Sequence, residues 1–250
     1  TWVYAMKQIL IFIVLVFLSS CKGDQRDDCI TRLGDDGSDV RQVGDFSRLY
    51  VEDRIKLVIE QDSARAGEVV LSGPENLLSQ VLTEVSDGEL RLTNNNTCNF
   101  VRSFDYTLAV KVFVDKLSRL EVESIAEVSV EDTLVIDFLE IRHTALSDID
   151  LTLGGDEVFI RSRNSASTKL RGKIKTLKGS IEEVSSLDAG ELICENVLID
   201  THTKLETYVR ATKLIYVNIY NSGNIFYLID EPAEYAAVGE RTGSGQLLKK

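Results

Sequence analysis

Leu120-Glu121-Val122-Glu123, Leu139-Glu140-Ile141-Arg142 and Val197-Leu198-Ile199-Asp200 are versions of one short phrase in which apolar and polar residues alternate. Alternation sends every second side chain to the same face of a strand, and the apolar face asks to be buried. The phrase recurs between Leu117 and Pro232. Strand starts align at Leu120, Leu139, Val158, Leu177, Val197 and Ile215, in steps of 19, 19, 19, 20 and 18 residues. A second apolar column follows at Val128, Ile149, Thr168, Leu187, Leu205 and Ile225, in steps of 21, 19, 19, 18 and 20. Strands this short cannot stand alone. Stacked as coils, they gain ladder partners above and below at ~4.8 Å, and the apolar columns fuse into one core. A period near 20 without a helical pattern is the signature of a solenoid. The expected fold is all-β, a right-handed parallel β-helix, because crossovers between parallel strands are right-handed. An antiparallel sandwich with accidental spacing is the alternative.

The same register assigns an inside and an outside. Ile141, Ile160, Ile199 and Val217 point inward. One outward column reads Glu121, Glu140, Phe159, Lys178, Leu198 and Tyr216, and the next reads Glu123, Arg142, Arg161, Ser180, Asp200 and Asn218. Arg142, Arg161 and Arg163 therefore gather beside Phe159, with Leu198, Tyr216 and Tyr220 further down the same face. Exposed arginines and aromatics together are typical of binding surfaces. The expected partner is an acidic glycan or an acidic protein surface. The competing reading is apolar surface scattered singly, which needs no function.

Composition narrows the classes. The chain has 250 residues and a net charge of −12, and nucleic-acid binding needs a basic surface instead. The two histidines, His143 and His202, are far apart in sequence and are both read as strand-end surface residues. No catalytic pair and no metal set is apparent, so neither cofactor nor metal is expected.

The chain before the repeats divides into three parts. Residues 1–20 read as a secretion signal: Lys7 is the basic start, and Ile9 to Leu18 is an apolar run too short to span a bilayer. Leu18-Ser19-Ser20-Cys21 resembles the lipobox of bacterial lipoproteins, which implies cleavage before Cys21 and a lipid on its thiol. The alternative is an ordinary signal peptide with an incidental cysteine. Residues 21–42 are acidic and poor in apolar residues, and read as a solvated tether, with Asp35-Asp36-Gly37-Ser38-Asp39 as a turn. Residues 43–116 alternate as strands, with a helix read over Glu75 to Val85 behind Pro74 and a turn at Asp87-Gly88. This region is expected to cap the first coil of the solenoid, which occupies 117–250, because a bare strand edge invites further pairing. Cys29 and Cys98 suit a disulfide in an oxidising exterior, although sequence does not prove the pairing. Cys194, two residues after Leu192, points into the core.

Asn221-Ser222-Gly223-Asn224-Ile225-Phe226-Tyr227 resembles the Gly-Ile-Asn motif of the bacterial "head GIN domain" auto-transporter adhesin family. Phe46-Ser47-Arg48-Leu49, Gly73-Pro74-Glu75-Asn76-Leu77-Leu78 and Asp87-Gly88-Glu89-Leu90 fit the family's opening, and Gly243-Ser244-Gly245 fits its close. The resemblance implies an all-β, secreted or lipid-anchored, adhesive protein at the outer membrane, on its periplasmic face or the cell surface. This chain departs from the family pattern at Leu228-Ile229-Asp230-Glu231. Read physically, Asn221, Ser222, Gly223 and Asn224 form a turn, since Gly and Asn tolerate positive φ. Three classes of function stand: a non-catalytic adhesin or binding scaffold, a polysaccharide-active enzyme on the same fold, and a self-assembling envelope protein.

Overall fold

The computed structural model describes residues 33–52, 54–96, 107–144, 146–229 and 235–250. All of these except Asn96 fall in one compact unit. Cys21, Cys29 and Cys98, with the signal segment, lie outside the described residues. In chain order the strands are β1 (Asp36–Gln42), β2 (Arg48–Val51), β3 (Ile55–Gln61), β4 (Glu68–Pro74), β5 (Val81–Ser86), β6 (Glu89–Asn94), β7 (Leu108–Val114), β8 (Arg119–Val122) and β9 (Ala126–Val130). They continue as β10 (Leu134–Thr144), β11 (Asp148–Arg163), β12 (Ser167–Glu183), β13 (Ser186–Thr203), β14 (Thr207–Ile219), β15 (Ile225–Ile229), β16 (Tyr235–Arg241) and β17 (Leu247–Lys249). One helical turn, α1 (Glu75–Leu78), follows β4.

The repeats stack as a parallel β-solenoid. On its first face Leu139, Val158, Leu177, Val197 and Ile215 pair in succession, as the spacing predicts. Val128, Ile149, Thr168 and Leu187 pair likewise on a second face. A third, shorter face stacks Leu134, Leu153, Gly172 and Leu192. Long strands such as β11 turn the corners between faces with the ladder to β12 nearly unbroken. Ile141, Ile160, Ile199 and Val217 are all buried, so the inside and outside of the coils are as expected.

Two positions in the aligned columns are displaced by two residues. Leu120 pairs with Ile141, not with Leu139, so Glu121 lies beside Arg142 and Arg119 beside Glu140. The register read from hydrophobicity would have set Glu121 against Glu140, and neighbouring like charges on adjacent strands repel. In the second column Leu187 pairs with Thr207, not Leu205. Thr207 is buried, whereas Leu205 is exposed in the preceding turn. A threonine inside and a leucine outside mislead any alignment made on hydrophobicity alone.

The N-terminal region is more solenoid than cap. β2 pairs in parallel with both β6 and β8, so Leu49 is flanked by Leu90 and Leu120. β3 likewise lies between β7 and β9. The chain thus lays down a middle coil (β2, β3), adds one coil outside it (β6, β7), and then crosses back to continue on the other side (β8, β9). The cap proper is smaller. Among the described residues, only the pairings β1–β4, β4–β7 and β5–β6 are antiparallel, and all lie at this end. The predicted helix over Glu75 to Val85 is a single turn that ends at Leu78. Val81 onward alternates as β5 and returns through the two-residue Asp87-Gly88 hairpin, both at positive φ. Asp36–Gln42, read as tether and turn, instead form β1 against β4. Arg41 secures it by donating to the carbonyls of Leu78 (2.9 Å) and Val81 (2.5 Å).

One continuous core runs from Leu49 to Ile225 and includes Cys194. Burial pushes the Cys194 thiol up to about 12. His143 corrects the sequence reading: it is fully buried at a coil corner, with Nδ1 2.8 Å from Thr168 Oγ1 and Nε2 2.5 Å from Ser147 Oγ. Desolvation pushes its imidazole down to about 4, against the opposing pull of a hydrogen bond to the Ser147 backbone. His202, by contrast, is on the surface.

Candidate functional site

The first face carries the residues singled out from sequence. Its outward strip reads Glu140, Phe159, Lys178, Leu198 and Tyr216, one per coil. Ladder spacing sets Phe159 and Tyr216 three coils apart, roughly 14 Å. They share a strip without touching, separated by Lys178, whose ammonium pairs with Glu157 at 2.8 Å, and by Leu198. Tyr216 is 40% exposed and reaches over Gly239 of the next coil.

The arginines differ in what they have left to offer. Arg142 is held by Glu140 at 2.7 Å and Glu121 at 3.8 Å, and Arg163 by Glu182 at 3.0 Å. Burial works against ionisation of Glu140, yet hydrogen bonds from Arg142 and Arg119 hold its carboxyl below the usual carboxylate range. Arg161 is exposed and takes part in no ion pair found among the described residues. Tyr220 stacks on His202 with ring centroids 4.3 Å apart and donates its hydroxyl to Glu240 at 2.9 Å. The face is therefore studded with charge pairs between coils, which exposed ions this close form at little net gain in stability. Among the described residues Arg161 is left outside the ion pairs, beside the half-buried Phe159 and Leu198 and the exposed Tyr216.

The motif loop joins β14 to β15 and stitches coils together. Asn221 Nδ2 donates to the His202 carbonyl at 3.0 Å, and Asn224 Oδ1 accepts from the Gln246 N–H at 3.0 Å. The Ser222 N–H donates to Asn221 Oδ1 at 2.9 Å. Gly223 is needed for clearance and not for a left-handed backbone. Its φ is not among the positive ones, but a Cβ there would run into the Leu205 carbonyl of the coil before.

A concavity among the described residues lies elsewhere, on the second face, at residues the sequence reading passes over. Its volume is about 500 Å³, and Asp188, Gly190, Tyr208, Phe226 and Lys250 are among the residues lining it. Tyr208 and Phe226 are ladder neighbours, stacked with centroids 5.3 Å apart. Tyr208 donates its hydroxyl to Glu206, and that bond, with some burial, raises its pKa. The signal was present in the sequence. Aligning Thr207 instead of Leu205 with Ile225 places Tyr208 beside Phe226 at once. Among the described residues, no group of three His, Cys, Asp or Glu side chains is arranged to hold a metal, and no helix is long and apolar enough to cross a membrane.

The fold has known counterparts. A crystal structure described as a "putative adhesin" from Bacteroides fragilis NCTC 9343 superposes with a TM-score of 0.78 at 18% identity, covering 86% of this chain and 97% of that one. Another, described as a "putative adhesin" from Parabacteroides distasonis ATCC 8503, gives 0.62 at 19% identity, covering 87% and 98%. A third, described as a "putative lipid binding protein" from the same organism, gives 0.63 at 15% identity, covering 87% and 97%. At these identities the likeness concerns the fold alone. No curated protein matches the chain. Residues 45–230 match the family described as "Putative auto-transporter adhesin, head GIN domain", and the chain belongs to that family.

Proposed function

We propose that this chain is a non-catalytic adhesin or binding scaffold, held at the bacterial outer membrane by a lipid on Cys21, with ligand contact on the side of the solenoid. The observation that carries this reading is the outward strip Phe159–Lys178–Leu198–Tyr216, in register over four successive coils beside the uncommitted Arg161. A solenoid presents such side chains as a flat, evenly spaced row, and flat rows suit extended partners such as a glycan chain or another cell's surface protein. Family membership and the adhesin descriptions of its structural neighbours support the same class. An acidic group on the partner would meet Arg161, because Arg142 and Arg163 are already paired.

The test is adhesion of cells displaying the protein to glycan and protein surfaces, with Phe159→Ala/Tyr216→Ala and Arg161→Glu variants. Both variants should lose adhesion while keeping the melting temperature, and Arg161→Glu should flatten its salt dependence. Unchanged adhesion by both would move the contact away from this strip, with Asn221 to Asn224 next to examine. Glycan turnover in place of binding would mean an enzyme on the same fold.

A further inference from the structure

We propose that the groove on the second face, where the Asp188–Glu191 bulge meets Tyr208 and Phe226, is a binding site for a neutral saccharide. The proposal deepens the binding-protein reading by naming a ligand class, and it concerns a face other than the Phe159–Tyr216 strip.

The groove is made by an irregularity. Lys169 pairs with Asp188 but Arg171 pairs with Glu191, so β13 carries one extra residue against β12. Bulges of this kind re-aim side chains and recur beside functional sites. Here the bulge leaves Gly190, with no side chain, next to Tyr208. The opening is not a backbone necessity. Gly190 has no left-handed φ, and a Cβ would meet only Asp188 Oδ1 at 3.4 Å and Tyr208 Cβ at 3.7 Å, both ordinary contacts. A larger residue would fit the fold and fill the groove.

What remains is an apolar floor with a polar rim. Tyr208, Phe226 and Leu228 supply the floor. Asp188 offers a carboxylate that accepts the Gly190 N–H at 3.2 Å and has further acceptor capacity. Lys250 offers donors, its Nζ 4.9 Å from the Tyr208 ring centroid. A pyranose has the matching anatomy, with a C–H face that stacks on an aromatic ring and an edge of hydroxyls that both donate and accept. A volume of about 500 Å³ lies in the range of small-ligand clefts.

Charge decides for a neutral ligand over a charged one. Glu191 is already paired with Lys169 at 3.5 Å and with Arg171 at 3.3 Å. Asp188 and Lys250 stand on the same groove with opposite signs. An anion would face Asp188, and a cation would have to displace Lys250 from Tyr208. A polyol engages both groups without a net charge of its own.

The experiment titrates the purified protein with a panel of neutral oligosaccharides, including cellobiose, maltose, lactose and chitobiose, by calorimetry and ligand-observed NMR. Choline serves as the cationic probe and galacturonic acid as the anionic one. At least one neutral sugar should bind in the micromolar to millimolar range, with little dependence on salt. Gly190→Leu and Tyr208→Ala should each weaken it roughly tenfold or more, and Phe159→Ala/Tyr216→Ala should leave it unchanged. No neutral sugar binding at millimolar concentration overturns the proposal. So does a response confined to choline or galacturonic acid, or binding that survives Gly190→Leu in a protein of unaltered melting temperature. Because the Phe159/Tyr216 variant tests the adhesive strip and Gly190→Leu tests the groove, the two readings fail separately.

Discussion

Gly179 stacks directly on Ile160 at a φ of +152°, and a Cβ on Gly179 would collide with the Ile160 carbonyl oxygen. The inward column Ile141, Ile160, Ile199, Val217 is thus interrupted by a residue with no side chain to contribute. The backbone at that coil bends in a way only glycine adopts readily. Gly179→Ala should therefore cost on the order of 3 kcal/mol, from strain and from the backbone shift the collision forces. Chemical denaturation reads this directly; a change within error of wild type would show that the coil relaxes freely.

The neighbouring pair Ile160 and Arg161 tests the register. Ile160→Asp buries a carboxylate with no partner, which costs several kcal/mol even after the group neutralises. Arg161→Asp alters an exposed side chain outside the ion pairs found among the described residues and should shift the melting temperature little. Equal losses from the two would contradict the inside and outside described above.

His143 makes stability depend on pH. Its folded pKa is lowered to about 4, while an unfolded imidazole titrates near 6.5. Between those values the unfolded chain binds the extra proton, so stability rises with pH across the window. The contribution is fully present above about pH 6.5 and is lost as pH falls toward 4, by about 3 kcal/mol at most. The difference in unfolding free energy between wild type and His143→Gln, followed from pH 7 to 4, should narrow accordingly; a constant difference would mean that His143 stays protonated or exposed.

The cysteines can be counted. Cys194 is buried with its thiol pushed up to about 12, so alkylating reagents should reach it only on unfolding. With Cys21 acylated and Cys29 joined to Cys98, the unfolded, unreduced protein should yield one thiol. Three thiols would leave the disulfide unmade.

The anchor has its own test. Cys21→Ser removes the only thiol in Leu18-Ser19-Ser20-Cys21 that can carry a thioether lipid. The variant should lose labelled fatty acid and leave the membrane fraction. Retention of both would refute the lipobox reading.

The coil period, the first buried column and the position of Cys194 follow from sequence alone. Each rests on apolar residues recurring at a spacing that only stacked strands satisfy. What hydrophobicity cannot detect is a slip of two residues, because strand alternation has a period of two and the slip preserves inside and outside. That is why hydrophobicity sets Leu120 beside Leu139 instead of Ile141. Leu205 fails differently: the leucine lies outside and the buried position is a threonine, so an apolar column takes the wrong residue. The same limit hid Tyr208 beside Phe226, and with them the groove.

The tertiary structure decided the rest, for reasons that lie between coils. Contacts across about 20 residues of sequence bring Arg119 to Glu140 and Arg142 to Glu121. Pairings of longer range wedge β2 between β6 and β8, and a contact at a coil corner buries His143 against Thr168. The sequence by itself determined that this chain coils and most of the apolar side chains that fill it. Ladder register, set by strand pairing and cross-coil charge, determined which surface residues meet, and so where a ligand can sit.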